Sequence, residues 1–413
     1  MSGRKILATL LMLAFHLPVV FAGGPTYSRF GLGDILFFGG SRINAMGGAG
    51  IGLMTDRFIN RLNPAGHARI SLTRISAGFE YSRVSSADLS GSSDFARGDF
   101  GGLAFAIPIS KSEGIVWSFE STPYSRVSYA LERTDNQLGI QSNLSYSGSG
   151  GLSTLSTGAS WSVLSQLTIG LKLNYLYGRI HQEAKVDFQD PTFIDSDISH
   201  STFHSGFTFT TGLMYDGISD ALGLPSLKTF TLGAVVTTPT TLNADDEDIL
   251  TTSQSFDTTR TGRSTVDVPL AGGLGFSYIF GNRYLLTGDF MTQQWSSTNL
   301  PKLGTAEFRN SMKLGVGFEI MPERSLDSYW QQVAYRLGFS YHSTYLRMNG
   351  QGIDEYSVSG GFGLPIALEA RINIGLQMGW RGTTSNGLQK DTFYRLSISL
   401  SASEAWFLKI EEE

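Results

Sequence analysis

The sequence predicts an all-β protein, an antiparallel transmembrane β-barrel of about fourteen strands carrying an N-terminal segment in its lumen. Three observations predict it. From residue 71 onward the apolar residues recur with period two, the segments that carry this period are long, and glycine and aromatic residues are abundant, with 49 glycines in 413 residues and 12% Phe, Trp and Tyr. Period two puts alternate side chains on opposite faces of a strand. Glycine in ordinary proteins is about 7%.

The alternation is clear in several places. Leu167, Ile169, Leu171, Leu173, Tyr175 and Tyr177 alternate with Thr168, Gly170, Lys172, Asn174 and Leu176. Met312, Leu314, Val316, Phe318 and Ile320 alternate with Lys313, Gly315, Gly317 and Glu319, and Ile372 to Trp380 repeats the pattern against Asn373, Gly375, Gln377 and Gly379. One face is apolar; the other is small or charged. In a soluble sandwich the apolar face would be the interior. Segments such as 166–177, 266–280 and 332–347 are too long for that, because globular strands usually run about 5–6 residues while a tilted membrane strand needs about 9–11. The polar faces, with Arg336, His342, Arg371, Arg381 and Arg395, are therefore expected to point into a lumen.

Fourteen segments carry the pattern, at 71–83, 98–109, 114–124, 151–163, 166–187, 198–216, 228–238, 266–280, 283–295, 309–321, 332–347, 355–366, 371–382 and 391–402. An even number closes a single-chain barrel with both ends on one side. Tight connections at 110–113, 164–165, 281–282 and 367–370 alternate with long ones at 84–97, 125–150, 239–265, 296–308 and 383–390, which predicts short periplasmic turns and long outer loops. Tryptophan favours the membrane interface. On this layout Trp117, Trp161, Trp330 and Trp406 fall near the inner rim, and Trp295 and Trp380 near the outer one.

The first residues have a different character. Arg4 and Lys5 precede an apolar run from Ile6 to Phe21, ending Val20-Phe21-Ala22. This predicts a signal peptide over 1–22, since the run is shorter than the roughly 20 residues of a membrane-spanning helix. Residues 23–70 do not alternate and are rich in glycine, with a short helix expected around Asp56 to Leu62. A fourteen-stranded barrel is wider than side chains alone can fill, so 23–70 is expected to be a hatch and 71–413 the barrel. With no cysteine and a net charge of −5, thiolate chemistry, disulfides and nucleic-acid binding are not expected.

The segment Ala45-Met46-Gly47-Gly48-Ala49-Gly50, then Asp56, then Asn63-Pro64-Ala65-Gly66 resembles the hatch of the FadL-type outer-membrane transporters for long-chain fatty acids and other hydrophobic compounds. The C-terminal Gly361–Pro365, Gly379–Thr383 and Trp406-Phe407 resemble FadL-related barrels of the Bacteroidetes and neighbouring groups. His67 stands where the family usually has Leu, and the chain ends Glu411-Glu412-Glu413 rather than on an aromatic strand residue. The resemblance implies passive outer-membrane transport of a hydrophobic, fatty-acid-like compound, with Asn63, Pro64, Ala65 and Gly66 as the hatch motif. It also admits a component of a protein-secretion system or a binding scaffold. The partners expected are that small molecule and the surrounding outer-membrane lipid and lipopolysaccharide, around a monomer of a Gram-negative bacterium.

Other residues offer candidate sites by their chemistry. Asn63-Pro64 reads as a working hatch element or as a plain turn, since proline fixes its own φ and biases the residue before it to extended geometry. Pro123, which cannot donate to a sheet ladder, is either a kink that opens a lateral gate or the start of the 125–150 loop. Phe30, Phe37, Phe38, Tyr124, Tyr129 and Phe256 are candidates for a hydrophobic pocket. His200 and His204 share a strand face without a third ligand, and Asp245–Asp248 reads as a solvated loop, so no metal is expected. Gly47–Gly52 lacks the strand and the Gly-Lys-Ser/Thr of a phosphate loop. With neither His-Glu-x-x-His nor Gly-x-Ser-x-Gly, no enzyme and no cofactor are expected.

Overall fold

The computed structural model describes residues 26–404 apart from 90, 138–139, 191, 253–255, 301–305, 324–327 and 368. The predicted signal peptide, Trp406 and the acidic tail lie outside the described residues. After the hatch, with its two-residue strand β1 (Asp34–Ile35), the chain runs β2 (Thr73–Ala87), β3 (Ser92–Ser110), β4 (Ile115–Pro123), β5 (Ser125–Gln137), β6 (Ile140–Leu164), β7 (Leu167–Phe188) and β8 (Ser196–Tyr215). Then follow β9 (Thr231–Thr237), β10 (Thr240–Thr252), β11 (Phe256–Val268), β12 (Ala271–Phe280), β13 (Tyr284–Gln293), β14 (Ala306–Phe308) and β15 (Ser311–Ile320). β16 (Ala334–Met348), β17 (Gln351–Ala367), β18 (Ala370–Gly382) and β19 (Lys390–Glu404) complete it.

β4 with β5, β9 with β10, β11 with β12 and β14 with β15 are four staves, each interrupted once. Fourteen antiparallel staves result. Pairing of β19 with β2, from Lys390↔Ala87 to Glu404↔Thr73, closes the barrel. Closure removes the sheet edges, the only arrangement by which strands can stand in hydrocarbon without unpaired backbone groups. Among the described residues no helix is long and apolar enough to cross a membrane; here the strands have that length.

Adjacent residues show which face meets lipid. Leu337 is 65% exposed and its neighbour Arg336 5%; Lys172, 9% exposed, sits between Leu171 at 58% and Leu173 at 37%. The apolar residues look outward and the charged ones inward, as the period-two pattern predicts. Trp117, Trp161, Trp330 and Trp380 are exposed, but Trp295 is fully buried. It belongs to the interior, where its indole N–H donates to Gln293 Oε1 at 2.8 Å and its ring packs on Tyr345.

Three of the expected long loops are instead β-hairpins that continue the wall. β5 pairs with β6 from Val127↔Gly150 to Gln137↔Ile140, β10 with β11 from Thr240↔Val268 to Thr251↔Phe256, and β2 with β3 out to Ala87↔Ser92. Beyond the apolar belt both faces of a strand meet water, so the alternation fades while the backbone ladder persists. Asp245–Asp248 consequently lies on strand β10, opposite β8, with Asp248 paired to His200 across the ladder. At the opposite end the connections are mostly tight, although 216–230 holds a short helix, Ile218–Leu222, and a single turn, Pro225–Leu227.

The hatch fills the barrel without the helix expected at 56–62. Its helical pieces are Thr26–Arg29, Ser41–Asn44 and Pro64–His67. Its N-terminal part joins an apolar core at the hairpin end, with Tyr27, Phe30, Leu32 and Ile35 against Val127, Leu152, Leu176, Leu242, Val266, Trp295 and Tyr345. Its middle packs as Ile43, Met46 and Leu53 with Leu285.

Candidate functional site

The Asn-Pro-Ala-Gly motif is a clamp between hatch and wall. Extended Asn63 caps the turn Pro64–His67, its Oδ1 accepting from Ala65 N–H at 3.1 Å, while Pro64 occupies the first position, where a missing N–H costs nothing. The same amide reaches outward. Its Nδ2 donates to the carbonyls of Ile51 (3.0 Å), Leu213 (3.1 Å) and Ala234 (3.3 Å), joining the hatch to β8 and β9. The local turn is what aims the side chain at the wall.

The small residues on the inner faces of the strands explain how the hatch comes so close. A side chain on Gly170 would overlap Pro64 and Ala65, one on Gly212 would overlap Asn63, one on Gly233 Ile51, and one on Gly338 Gly47. In each strand the glycine stands where the alternation calls for an inward residue. The hatch backbone occupies the room that a Cβ would take.

Two polar anchors had no signal in the sequence. Asn60 is fully buried; its Nδ2 donates to the carbonyls of Gly50 and Leu53, both at 2.8 Å, and its Oδ1 accepts from Leu62 and Asn63 N–H. From the wall, Asp289 on β13 accepts from the N–H groups of Gly50 (2.6 Å) and Ile51 (2.8 Å) through Oδ2. A lone Asp in the pattern Gly288-Asp289-Phe290 looks like any lumen-facing residue, and only docking of the hatch gives it a partner. His67 is buried as well. Its Nε2–H donates to Asn60 O at 2.8 Å and lies 3.7 Å from Glu120; burial, with the charge of Lys172, holds the imidazole below its ordinary pKa against the pull of Glu120 and the Asn60 bond.

Pro123 is not the start of a loop. The stave continues past it for the whole of β5, and the break falls in mid-wall. β3 pairs with β4 as far as Leu103↔Ser121, and among the described residues no ladder joins β3 to β5 beyond that point. On its other edge the stave stays paired, with Pro123↔Ser153 and Val127↔Gly150 against β6 and Tyr124 N–H donating to Leu152 O at 2.8 Å. Into the unzipped edge comes the hatch: β1 pairs with β5 as Asp34↔Arg126 and Ile35↔Ser125, and Leu36 N–H donates to Tyr124 O at 2.9 Å. Arg97, Phe100, Pro123 and Arg126 line both the chamber inside the barrel and a smaller cavity at this break.

Of the residues expected to line an apolar pocket, Phe30, Phe37, Tyr124 and Tyr129 come together in one apolar core, and Phe37 also lines the chamber. Phe38 lines the chamber together with Phe37 and lies under the Arg61 guanidinium, 5.8 Å from the ring centroid. The side chain of Phe256 lies outside the described residues. Below the apolar core the chamber is charged: Arg381 bridges Asp34 (2.8 Å) and Asp391 (2.9 Å), Arg395 pairs with Glu355 (3.2 Å), and Arg126 with Asp99 (2.9 Å) and Glu80 (3.5 Å). His200 pairs with Asp248, and among the described residues no three His, Asp or Glu side chains converge as a metal site would require.

A plugged fourteen-stave barrel with a break in its third stave sets the chain beside known proteins. The model of the family described as BamG matches residues 3–411. The chain belongs to the BamG family. No curated protein matches it in sequence. This BamG-family chain is similar in structure to the Pseudomonas putida toluene transporter TodX, with a TM-score of 0.59 at 13% identity over 90% of this chain and 99% of that one. It is similar to the Ralstonia pickettii toluene transporter TbuX (0.57, 17%, 88% and 98%) and to a Pseudomonas aeruginosa FadL homologue (0.59, 13%, 90% and 99%). At such identities the shared property is the fold. The FadL-type barrel expected from residues 45–66 is the architecture observed.

Proposed function

We propose that this chain is an outer-membrane channel for small hydrophobic compounds, which leave the lumen sideways between β3 and β5. The observation that carries the reading is the lapse of the ladder beyond Ser121, closed by the hatch through strand β1 and through Ser28, whose hydroxyl donates to Ser128 O and accepts from Ser128 N–H. Two paired residues and one serine make a small latch, and Phe100 and Pro123, which line both the chamber and the adjoining cavity, stand where its withdrawal opens the wall. The similarity to toluene transporters supports the reading. The guanidinium groups at the break, Arg97 and Arg126, already hold Asp99 and Glu80, which favours an uncharged compound over a fatty acid, whose carboxylate needs a free partner. Under this reading the tight-turn end faces the periplasm, residues 1–22 are the export signal, and the barrel acts as a monomer in lipid and lipopolysaccharide of a Gram-negative, Bacteroidetes-type outer membrane.

The chain has no native cysteine, so Ile35→Cys with Ser125→Cys gives a single disulfide across the latch, at a pair whose antiparallel spacing suits the bond. Uptake of labelled toluene and of a labelled fatty acid into vesicles with a lipopolysaccharide outer leaflet is expected to stop on oxidation and return on reduction. Equal uptake in both states would remove the lateral route.

A second reading has its own observation. Phe30, Phe37, Tyr124 and Tyr129 are packed into a continuous core with Trp295 and Tyr345, as suits a barrel that serves as a scaffold in a protein-secretion assembly. That role predicts stable co-purification of other outer-membrane proteins in mild detergent, unchanged by the Ile35–Ser125 disulfide.

A further inference from the structure

At the tight-turn end, beneath the hatch, lies a second cavity that neither reading uses. Six arginines line it: Arg42, Arg57 and Arg61 from the hatch, Arg74 from β2, Arg336 from β16 and Arg371 from β18. Three carboxylates, Asp56, Glu319 and Glu369, share the same walls. Glu319 is taken by both Arg42 (2.6 Å) and Arg336 (3.2 Å), and Glu369 stands 3.7 Å from Arg74. Arg61 donates to the carbonyls of Gly101 and Ser76, and Arg371 to those of Gln332 and Gly363, all neutral acceptors. Arg371 lies within the fields of Arg57 and Arg42 and of the carboxylates Glu319 and Glu369. The side chain of Arg57 makes no hydrogen bond or ion pair among the described residues.

Buried donors are also left over. Arg74 Nε, Arg336 Nε and Ser401 Oγ have no hydrogen-bond partner among the described residues, and all three residues line this cavity. Arg74 is 4% exposed and Arg336 5%. A buried guanidinium N–H without an acceptor costs free energy, and an excess of three positive charges between low-dielectric walls attracts an anion strongly. Guanidinium forks match the oxygens of phosphate in spacing and plane, and a multiply charged oxyanion meets this excess better than a single carboxylate.

We propose that the cavity is a binding site for a phosphate group, held by Arg57, Arg74 and Arg371 and reached from the tight-turn mouth. The site does not depend on whether the barrel transports. The phosphate has two sources, free inorganic phosphate or the head group of a lipid.

The test is calorimetric titration of the full-length protein, in non-ionic detergent and phosphate-free buffer, with inorganic phosphate and separately with dihexanoyl phosphatidic acid. Saturable binding is expected, weakened about tenfold or more by Arg57→Gln and again by Arg371→Gln, the size of one charge-assisted hydrogen bond apiece. Arg57→Gln removes no bond that holds the fold, and heat-modified gel mobility checks that each variant is closed. Binding of inorganic phosphate assigns the site to the free ion; binding of phosphatidic acid alone assigns it to a head group. If neither binds, or if both substitutions together leave the affinity unchanged, the site does not exist.

Discussion

Asn63 and Gly212 meet where the hatch touches the wall: the Asn63 side-chain oxygen lies in the volume that a Cβ on Gly212 would occupy. The amide that caps the turn Pro64–His67 is thus also the probe for which β8 leaves a gap. Replacing Gly212 with Ala is expected to displace the motif and cost ~1–3 kcal/mol, as overpacking does. Gly272→Ala is the control, since the nearest atom to its Cβ would be Val235 O at 3.8 Å. Urea unfolding in detergent micelles should separate the two variants by at least ~1 kcal/mol.

Asp289 presents one carboxylate oxygen to two hatch N–H groups, those of Gly50 and Ile51. In Asp289→Ala both donors stay buried without an acceptor, at about 1–3 kcal/mol for each. The loss should concentrate in the hatch. Hydrogen exchange at residues 47–53 is expected to accelerate in Asp289→Ala, and less in Asp289→Asn, which keeps an acceptor oxygen; unchanged exchange in both would show that the anchor is idle.

Arg381 stands between Asp34 on the hatch and Asp391 on β19, with Asp391 also accepting from Ser86. Removing the cation leaves the Asp391 carboxylate buried without a counter-charge, which for buried pairs costs about 3–5 kcal/mol. Arg381→Met is therefore expected to unfold at much lower denaturant, and adding Asp391→Asn to recover part of the loss. No recovery in the double variant would mean that packing, rather than charge, sets the effect.

The His67 ring gives a pH dependence with a definite sign. Burial keeps its folded pKa below the ordinary value, which for an unfolded chain is about 6.5. Above that pH neither state binds the proton and the contribution is intact. As pH falls below it, the unfolded chain takes up a proton that the folded ring refuses, so stability is lost. His67→Gln, which can still donate to Asn60 O, is expected to flatten the drop in urea midpoint between pH 7.5 and pH 5.

Much of this protein is fixed by local pattern. Alternation along each strand, as in Leu171-Lys172-Leu173, is decided by the neighbours of each residue, so strand count, inside-out polarity and the place of the hatch before the first strand were all legible. So was the turn at Asn63-Pro64, whose cap closes within a few residues. What only the tertiary structure decided depends on pairs far apart in the chain. Whether 125–150 and 239–265 are loops or hairpins turns on backbone pairing, which outlasts the side-chain signal once both faces meet water. That Trp295 is core rather than belt, that Asp289 holds Gly50, and that β1 seats at the break beside Pro123 follow from where the hatch comes to rest. Side-chain period along a strand is a one-dimensional property; docking a plug against fourteen staves is not.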